Sequence, residues 1–447
     1  ARVASAAGCH VLKLPPMNPT PLTAFSMRHL DADAGIMVTA SHNPAMDNGY
    51  KVYLGGAVVT GAGQGVQIVP PYDAEIAAAI ASAPPADQVA QDDARIEPVD
   101  PRDAYVAAAS ALARGSAAEK AALRITLTAM HGVGAALTTR VLAEAGFSDV
   151  RLVAEQAEPD PDFSTVPFPN PEEPGALDLA MERASEEGSD VIIAVDPDAD
   201  RCALAVPDPA SAAGWRPLSG DQIGCLVGEF LAARGLDGSL ANSIVSSRLL
   251  ACIAREHGLA HHTTLTGFKW IARAPSLAFG YEEAIGFCPN PGIVRDKDGI
   301  ATSVVAASMV AAFKAAGRSA WDELDRLARL HGLHVTGPLT FRVDQIEQIA
   351  QGMARLRAQP PSELAGSPVV EVSDLSEGYQ GLPPTDGVLV LTRDGDRVIA
   401  RPSGTEPKLK CYLEVILPAP EGGPVPWEDA RERLERIKRE FGQIIGL

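Results

Sequence analysis

The sequence lacks long apolar runs and closely spaced cysteines. No stretch reaches the roughly 18–20 apolar residues that a transmembrane helix requires, and the longest, near 303–313, has about half that length. The first residues do not have the pattern of a signal peptide. The cysteines are scattered without a CxxC pair, at Cys9, Cys202, Cys225, Cys252, Cys288 and Cys411. This spacing is typical of free thiols in a reducing compartment, so we expect a cytoplasmic protein without a zinc site or a membrane partner.

The chain also lacks an excess of positive charge. Its formal net charge is −19 at pH 7, which argues against nucleic acid and anionic membranes as partners. An anionic substrate stays possible, because a local basic site can coexist with an acidic surface.

The pattern of the chain is typical of a multidomain α/β protein. A length of 447 residues suggests about three or four domains. Apolar β-branched runs, such as 123–127 and 190–195, alternate with Ala/Leu/Glu-rich helical stretches such as 221–233, which predicts mostly parallel sheets. Pro-rich or polar segments at 83–93, 207–214 and 330–338 are candidate connections.

The last hundred residues follow a different pattern. Two apolar runs, 387–392 and 397–401, flank an Asp-Gly turn and predict a β-hairpin. A helix from about Trp427 would bury one face, formed by Leu434, Ile437, Phe441 and Ile445, and would carry a Glu432–Arg436 pair.

Residues 39–44 read Thr-Ala-Ser-His-Asn-Pro, directly after the apolar run 35–38, which predicts a short buried strand. A hydroxyl at this point, on Ser41, would be exposed and rigidly held, as suits a nucleophile or a carrier of a transferred group. His42 and Lys51 are the nearest titratable groups and candidates for moving a proton. An ordinary turn is the alternative for the motif, and a structural role is the alternative for both side chains.

Residues 196–201 read Asp-Pro-Asp-Ala-Asp-Arg and follow the apolar run 190–195. Asp196, Asp198 and Asp200 alternate, so a strand end extending into a loop could turn all three inward. Three carboxylates this close require a cation, and oxygen ligands without Cys or His favour Mg²⁺. The Gly and Glu of an EF-hand loop are missing, which argues against calcium. The alternative is a solvated acidic turn.

Residues 401–408 read Arg-Pro-Ser-Gly-Thr-Glu-Pro-Lys. A guanidinium, two hydroxyls and backbone N–H groups around a glycine suit a phosphate dianion, although the order is not that of a Walker loop. An ordinary Pro/Gly turn explains the segment equally well.

Residues 280–287 read Gly-Tyr-Glu-Glu-Ala-Ile-Gly-Phe. Their adjacent carboxylates could accept hydrogen bonds from sugar hydroxyls, and a helix N-terminus is the alternative. Cations at 295–299, among them Lys297, could contact a second anionic group or form a solvated loop.

These four dispersed segments, in their order along the chain, resemble the α-D-phosphohexomutase family over essentially the whole chain. The resemblance implies three similar α/β domains with mixed sheets and a smaller C-terminal α+β domain around a central cleft. We expect the domains at 1–114, 115–212, 213–332 and 333–447.

The family reaction is reversible transfer of phosphate between the C1 and C6 (or C5) hydroxyls of a sugar through a phosphoserine and a bisphosphorylated sugar. The resemblance assigns Ser41 as phosphoserine, Lys51 as the general acid/base, and His42 as an accessory group. It assigns Mg²⁺ to Ser41 and the three aspartates, with a sugar 1,6-bisphosphate as activator. Substrate contacts are expected at Arg201, Thr266, Gly267, Glu282, Ala284, Lys297, Arg401, Ser403, Gly404 and Thr405.

Two departures from the family pattern put the choice of sugar in doubt. Pro197 replaces the usual glycine of the metal loop, a variant associated with the branch that contains phosphopentomutase and the sugar-bisphosphate synthases. Residues 266–270, which read Thr-Gly-Phe-Lys-Trp, also resemble that branch. Ala284 stands where many hexomutases carry a serine.

The family's N-terminal glycine/arginine segment is absent, so we expect it to precede Ala1. We predict a mutase, monomeric or homodimeric, that acts on glucose or mannose phosphates. A phosphopentomutase, a glucose-1,6-bisphosphate synthase and a non-catalytic phosphosugar-binding protein are the alternatives.

Overall fold

The computed structural model describes residues 1–402 and 407–446. The chain divides into two compact units. The first comprises Ala1–Ile223 and Phe268–Gly317, and the second comprises Gly224–Gly267 and Arg318–Leu447.

In chain order, the helices are α1 Arg2–Ala6, α2 Thr20–His29, α3 Tyr72–Ala81, α4 Arg102–Ser110, α5 Ala117–Ala121, α6 Ala135–Glu144, α7 Asp178–Glu187, α8 Gly220–Ala232, α9 Leu249–Glu256, α10 Phe268–Ile271, α11 Gly299–Ala315, α12 Ala320–His331, α13 Ile346–Ala358 and α14 Trp427–Ile445. The strands are β1 Val11–Lys13, β2 Ala34–Val38, β3 Tyr50–Leu54, β4 Val66–Gln67, β5 Ile96–Pro98, β6 Arg124–Thr128, β7 Asp149–Leu152, β8 Val191–Val195, β9 Cys202–Pro207, β10 Trp215–Pro217, β11 Ser239–Ser243, β12 Ala260–Thr264, β13 Leu277–Glu282, β14 Gly286–Cys288, β15 Leu333–Arg342, β16 Glu363–Leu364, β17 Ser367–Asp374, β18 Val388–Thr392, β19 Arg397–Pro402 and β20 Lys408–Leu417.

A five-stranded mixed sheet, ordered β10-β9-β8-β6-β7, organises the first unit. β6 runs parallel to β7 and β8, whereas β9 and β10 are antiparallel additions. All five residues of β8 are buried, as expected for a strand covered on both faces. The α/β class and the mixed sheet are therefore confirmed, and the expectation of mostly parallel sheets is too simple.

Helix α11 packs against this sheet and against α4 and α6 in the first unit. It is apolar on every side and almost entirely buried, as is typical of a central core helix. No single helix among the described residues is long and apolar enough to cross a membrane, and one broken pair, α11 with α12, meets that test of length and composition.

The small antiparallel sheet β2-β3-β4 carries the serine motif. The prediction that 35–38 forms a strand is correct, but the prediction that this strand is buried is wrong. β2 lies at the sheet edge with alternating exposure, and Ile36 and Val38 are 65% and 72% exposed. Its apolar run therefore has one face toward α2 and one face uncovered among the described residues.

The second unit contains an antiparallel sheet ordered β15-β20-β19-β18-β17-β16, and the parallel pair β11–β12. The predicted hairpin is the β18–β19 pair. Helix α14 begins at Trp427 as predicted and buries Leu434, Ile437, Phe441 and Ile445. Its Arg436 pairs with Glu440, one turn after it, whereas the predicted partner Glu432 is one turn before it.

Candidate active site

Three carboxylates meet at the end of the central strand β8. Asp196, Asp198 and Asp200 are at most 3% exposed, and one oxygen of each lies within 4.8 Å of the others. Ala199 adopts a left-handed φ of 55°, which turns the loop between the second and third carboxylates. The structure thus brings the alternating aspartates together, as their spacing predicts.

Two lysines neutralise part of this charge. Lys51 Nζ, on β3, donates to Asp198 Oδ2 at 2.8 Å and also to Asp200 Oδ2. Lys297 Nζ lies 3.2 Å from the same Asp200 oxygen and 3.9 Å from Asp296. Both lysines, which sequence reasoning assigned to proton transfer and to a second anion, are here engaged with carboxylates.

Two oxygens of the triplet are buried and have no hydrogen-bond partner in the described part of the chain. They are Asp196 Oδ2 and Asp200 Oδ1. The Arg201 Nε lies 4.0 Å and 3.8 Å from them, too far for a hydrogen bond. Buried carboxylate oxygens without donors are costly unless a cation binds them, so this donor set fits a hard divalent ion.

The charges in the cluster shift each other's ionisation. Burial, followed by the proximity of Asp198 and Asp200, raises the pKa of Asp196 well above its usual value. Burial also acts to raise the pKa of Asp200, but Lys297 and Lys51 outweigh it and lower that pKa. Burial opposes protonation of Lys51, yet Asp198 and Asp200 raise its pKa. Neighbouring carboxyl groups whose pKa values are shifted in opposite directions are typical of a functional site.

Ser41 lies beside this cluster in a strained turn. Its φ is 55°, a conformation that is uncommon for residues other than glycine. Its backbone N–H donates to Thr39 Oγ1 at 2.8 Å, and its Oγ donates to Asp198 Oδ1 at 3.4 Å. The hydroxyl is therefore held next to the carboxylates by a turn that the surrounding structure maintains.

His42 and Arg201 complete the side of the site that surrounds Ser41. His42 Nδ1 lies 3.3 Å from Ser41 Oγ, and its Nε2 lies 3.4 Å from Arg201 Nη1. Burial and the Arg201 guanidinium lower the pKa of His42 to about 3. The imidazole is therefore uncharged at neutral pH. Because Arg201 can only donate to Nε2, the single N–H of the ring is on Nδ1 and donates to Ser41 Oγ.

Several residues that support the site were not predicted from the sequence. Thr20 donates to Asp198 Oδ2 at 2.6 Å, and Thr39 donates to the same oxygen at 3.3 Å. Tyr53 donates to Asp296 at 2.6 Å, next to Lys297. Thr39 belongs to the serine motif and could have been noticed, whereas nothing in the pattern around Thr20 or Tyr53 marks either residue.

The predicted sugar-recognition segment forms the β13–β14 hairpin. Glu282 is the last residue of β13 and pairs with Gly286, which in turn forms a bridge with Arg201. Burial raises the pKa of Glu282, although Lys297 and Arg201 act against this. Ala284 lies in the turn between the strands. The hairpin thus reaches the aspartate loop 196–201 through the backbone of Arg201.

The remaining residues that were predicted to contact the substrate belong to the second unit. Thr266 and Gly267 follow β12, and Gly267 has a φ of 102°. Arg401 lies in β19, where its buried Nε has no hydrogen-bond partner among the residues that the structure describes. Ser403, Gly404 and Thr405 lie outside the described residues.

The sequence of the chain matches the models of a known protein family. Models of the phosphoglucomutase/phosphomannomutase family match the chain with α/β/α domain I at residues 1–85, domain II at 103–209, domain III at 219–329 and the C-terminal domain at 342–419. The chain belongs to this family. The resemblance drawn from the four motifs is confirmed.

Individual relatives agree with the family assignment. A probable phosphomannomutase of Haemophilus influenzae is 42% identical over 419 residues, which cover 93% of this chain and 84% of that protein. The phosphopentomutase of Homo sapiens is 31% identical over 473 residues, 96% of this chain and 74% of that protein. The crystal structure of a proposed phosphomannomutase of Thermus thermophilus matches with a TM-score of 0.74 at 25% identity, covering 98% and 86% of the two chains.

Membership makes this chain an enzyme, an intramolecular phosphotransferase of the isomerase class. The alternative of a non-catalytic binding protein is therefore set aside. The aspartate cluster gives this phosphohexomutase a candidate metal site.

Proposed function

We propose that the chain is a phosphosugar mutase that interconverts the 1-phospho and 6-phospho forms of a hexose, glucose or mannose. One observation carries the proposal: the Ser41 hydroxyl lies 3.4 Å from Asp198, within a buried triplet of carboxylates that could hold a metal ion. A phosphoryl carrier beside a cation site is what reversible phosphoryl transfer requires.

Asp196, Asp198 and Asp200 would hold Mg²⁺, and an oxygen of the Ser41 phosphate would complete the set. Bound there, the ion neutralises charge on the phosphoryl group during transfer. The two buried oxygens without donors, Asp196 Oδ2 and Asp200 Oδ1, support this assignment.

Ser41 would carry the phosphoryl group between two half-reactions. In the first, the bond between Ser41 Oγ and phosphorus breaks as a sugar oxygen bonds to that phosphorus, giving a sugar bisphosphate. After this intermediate reorients, Ser41 Oγ attacks its other phosphate and regains a phosphoryl group. The free bisphosphate can therefore act as an activator, because it phosphorylates any enzyme that has lost its phosphate.

Each half-reaction also exchanges one proton. The sugar hydroxyl loses a proton as Ser41 Oγ gains one, and the reverse holds in the second half-reaction. We assign this exchange to Lys51, which the carboxylates of Asp198 and Asp200 hold at the site. His42, 3.3 Å from Ser41 Oγ, takes the accessory role of orienting that oxygen.

The second phosphate and the sugar need their own contacts. We assign the stationary phosphate to Arg401 with Ser403, Gly404 and Thr405, and the sugar hydroxyls to Glu282 and the turn at Ala284. Arg201, Lys297, Thr266 and Gly267 are proposed as further substrate contacts. Two observations support these roles: Arg401 Nε has no hydrogen-bond partner among the described residues, and Glu282 is a buried carboxyl group.

We retain the domain boundaries 1–114, 115–212, 213–332 and 333–447 as proposals. We also expect a cytoplasmic monomer or homodimer.

A pentose phosphate is the second candidate substrate. Pro197 in the metal loop and Ala284 in the sugar turn depart from the hexomutase pattern, and the human relative that matches 96% of this chain is a phosphopentomutase. Synthesis of glucose 1,6-bisphosphate from a separate phosphoryl donor is a further alternative in the same branch.

The decisive experiment compares Ser41→Ala with Ser82→Ala, an exposed serine, in a coupled assay with a catalytic amount of hexose 1,6-bisphosphate. We expect no turnover from Ser41→Ala and normal turnover from the control. Chelator should stop the wild-type reaction, and Mg²⁺ should restore it. Full activity of Ser41→Ala, or indifference to chelator, would remove the phosphoserine or the metal from the mechanism.

The substrate is settled by kcat/KM for glucose 1-phosphate, mannose 1-phosphate and ribose 1-phosphate on the same preparation. The proposal requires a hexose to be preferred. Preference for ribose 1-phosphate would favour the pentomutase instead, and formation of bisphosphate only with an added donor would favour the synthase.

A further inference from the structure

A cysteine, a histidine and a glutamate lie together in the second unit, away from the aspartate cluster in sequence. Cys252 is on α9, and His334 and Glu414 are on the adjacent strands β15 and β20. In the antiparallel register, His334 is opposite Ile416 and Glu414 is opposite Thr336. The two side chains are therefore diagonal neighbours on one face of the sheet.

Glu414 is fully buried and ionised. Its carboxylate accepts from Ser247 Oγ at 2.8 Å, from the Arg248 backbone N–H at 2.8 Å, and from Arg248 Nε at 2.6 Å. Although burial acts in the opposite direction, Arg397 and His334 lower the pKa of Glu414 well below its usual value. A fixed negative charge thus stands next to His334.

His334 is held in one orientation by this charge. Its Nδ1–H donates to Glu414 Oε1 at 2.9 Å, and its side chain is only 3% exposed. Nε2 is then left for the thiol of Cys252, with which the imidazole interacts. Burial opposes protonation, yet the contacts with Cys252 and Glu414 raise the pKa of His334 to about 9, so an imidazolium faces the sulfur at neutral pH.

A second cation contacts the same sulfur. Arg255, one turn further along α9, places Nη2 3.2 Å from Cys252 Sγ. The hydrogen bond with His334, followed by the proximity of that ring and of Arg255, lowers the pKa of Cys252 even though burial opposes this. His331 is a further titratable neighbour: burial lowers its pKa, and the charge of His334 acts in the same direction.

Cys252 differs from the other cysteines in combining this environment with access to solvent. Cys202, Cys225, Cys288 and Cys411 are buried, and Cys9 is exposed without a cation among its described contacts. Cys252 is partly exposed. A thiolate that is both stabilised by cations and accessible is the form that reacts with disulfides and electrophiles.

We propose that Cys252 is a reactive thiolate and a site of reversible thiol modification by low-molecular-weight disulfides. The Cys252 sulfur attacks one sulfur of the small disulfide, a new S–S bond forms, the old S–S bond breaks, and one small thiolate leaves. The small disulfide is the oxidant: its departing sulfur is reduced to a thiolate as the Cys252 sulfur is oxidised. The imidazolium of His334 and the guanidinium of Arg255 hold the attacking sulfur as an anion, and a free thiol reverses the reaction.

The test measures alkylation of the folded full-length protein by iodoacetamide between pH 5.5 and 9.5, with peptide mass spectrometry to resolve Cys252 from Cys9. At pH 7, Cys252 should react roughly three- to tenfold faster than Cys9, because a larger thiolate fraction is partly offset by lower nucleophilicity. Its pH midpoint should lie below the ordinary thiol value of about 8.5. With glutathione disulfide as the probe, Cys252 should form a mixed disulfide that dithiothreitol removes.

Variants test whether His334 and Arg255 cause the reactivity of Cys252. His334→Gln should raise the pH midpoint of Cys252 and slow its reaction at pH 7. Arg255→Gln, at an exposed position that does not threaten folding, should do the same to a smaller extent. Arg151→Gln makes the same change of charge on the first unit and should have no effect. Equal rates for Cys252 and Cys9, or rates at Cys252 that neither variant changes, would overturn the proposal.

Discussion

Asp198 is the residue on which the candidate site converges. Thr20, Thr39, Ser41 and Lys51 all donate to its carboxylate, at distances between 2.6 and 3.4 Å. Two threonines thus fix one oxygen, while Ser41 approaches the other. A carboxylate held this firmly keeps its position when a cation or a phosphoryl group arrives, and such preorganisation is the main protein contribution to phosphoryl transfer.

At the same scale, Lys51 is the most informative side chain to remove. Lys51→Ala should lower kcat by about 10²–10⁴, the range typical of a lost general acid/base, with a smaller change in KM. Lys13→Ala removes an exposed lysine and should leave both constants unchanged. Steady-state kinetics at saturating Mg²⁺ measure this. A kcat for Lys51→Ala within twofold of the wild type would rule out the proton-transfer assignment.

The local motifs of the site could be predicted from the sequence, but its supporting contacts could not. The alternation of Asp196, Asp198 and Asp200 after an apolar strand is a local signal, and their meeting follows from it. The threonine at position 20 contacts Asp198 across 178 residues, and only the folded chain shows this. Lys297, predicted to contact an anion of the substrate, also lies near the carboxylates of Asp200 and Asp296, and spacing alone does not reveal such partners.

At the level of elements, the aspartate loop 196–201 is confined by two glycines. Gly132, after β6, lies against the backbone of Pro197, and Val133 N–H donates to Pro197 O at 2.9 Å. Gly299, the first residue of α11, packs against the backbone of Arg201 on the other side. A Cβ at either glycine would overlap backbone atoms, so the loop is fixed by its packing as well as by its charges.

Gly132→Ala tests this confinement. The added methyl must displace the Pro197 backbone, so we expect kcat/KM to fall at least about tenfold and the free energy of unfolding to fall by about 1–3 kcal/mol. Gly422→Ala, at a position with open space and no special backbone requirement, is the matched control. Urea titration and kinetics of both variants provide the measurement. Equal behaviour of the two would show that the loop tolerates the shift.

The β15–β20 pair should give the second unit a pH-dependent stability. The pKa of His334 is about 9 in the folded protein, above the ordinary 6.5, so its contribution is complete below pH 6.5 and is lost as the pH rises through 9. His334→Gln should therefore lower the free energy of unfolding by about 3 kcal/mol at pH 6 and by much less at pH 10.

This difference can be read from a brief alkylation pulse during urea titration, because Cys411 of β20 is buried until that strand unfolds. The wild type should require more urea than His334→Gln at pH 6, and the two midpoints should approach each other at pH 10. A difference between the midpoints that is independent of pH would contradict the assignment of a charged His334.

Element positions followed well from periodicity where the apolar pattern was long. The strand predicted at 190–195 is β8, the helix predicted at 221–233 is α8, and α14 begins at the predicted residue. The burial of β2 was predicted wrongly, since a run of only four apolar residues does not distinguish a central strand from an edge strand. Burial depends on which neighbours the chain supplies later, and a short window does not contain that information.

For the molecule as a whole, metal binding and folding should be linked. If Mg²⁺ binds the aspartate cluster of the folded protein and not the unfolded chain, it raises the free energy of unfolding. At a concentration one hundred times its Kd, the increase is about 2.7 kcal/mol. We expect Tm to rise with Mg²⁺ in the wild type and in Asp87→Asn, an exposed control, and to stay constant in Asp198→Asn. A rise of equal size in Asp198→Asn would place the stabilising ion elsewhere.

The central claim is that Ser41 carries the phosphoryl group, and one measurement tests it most directly. The protein is incubated with hexose 1,6-bisphosphate labelled in its phosphates, and the labelled peptide is then identified. The account predicts that label is found on Ser41 and is transferred to hexose monophosphate when unlabelled substrate is added. Label on any other residue, or label on Ser41 that substrate does not discharge, would contradict it.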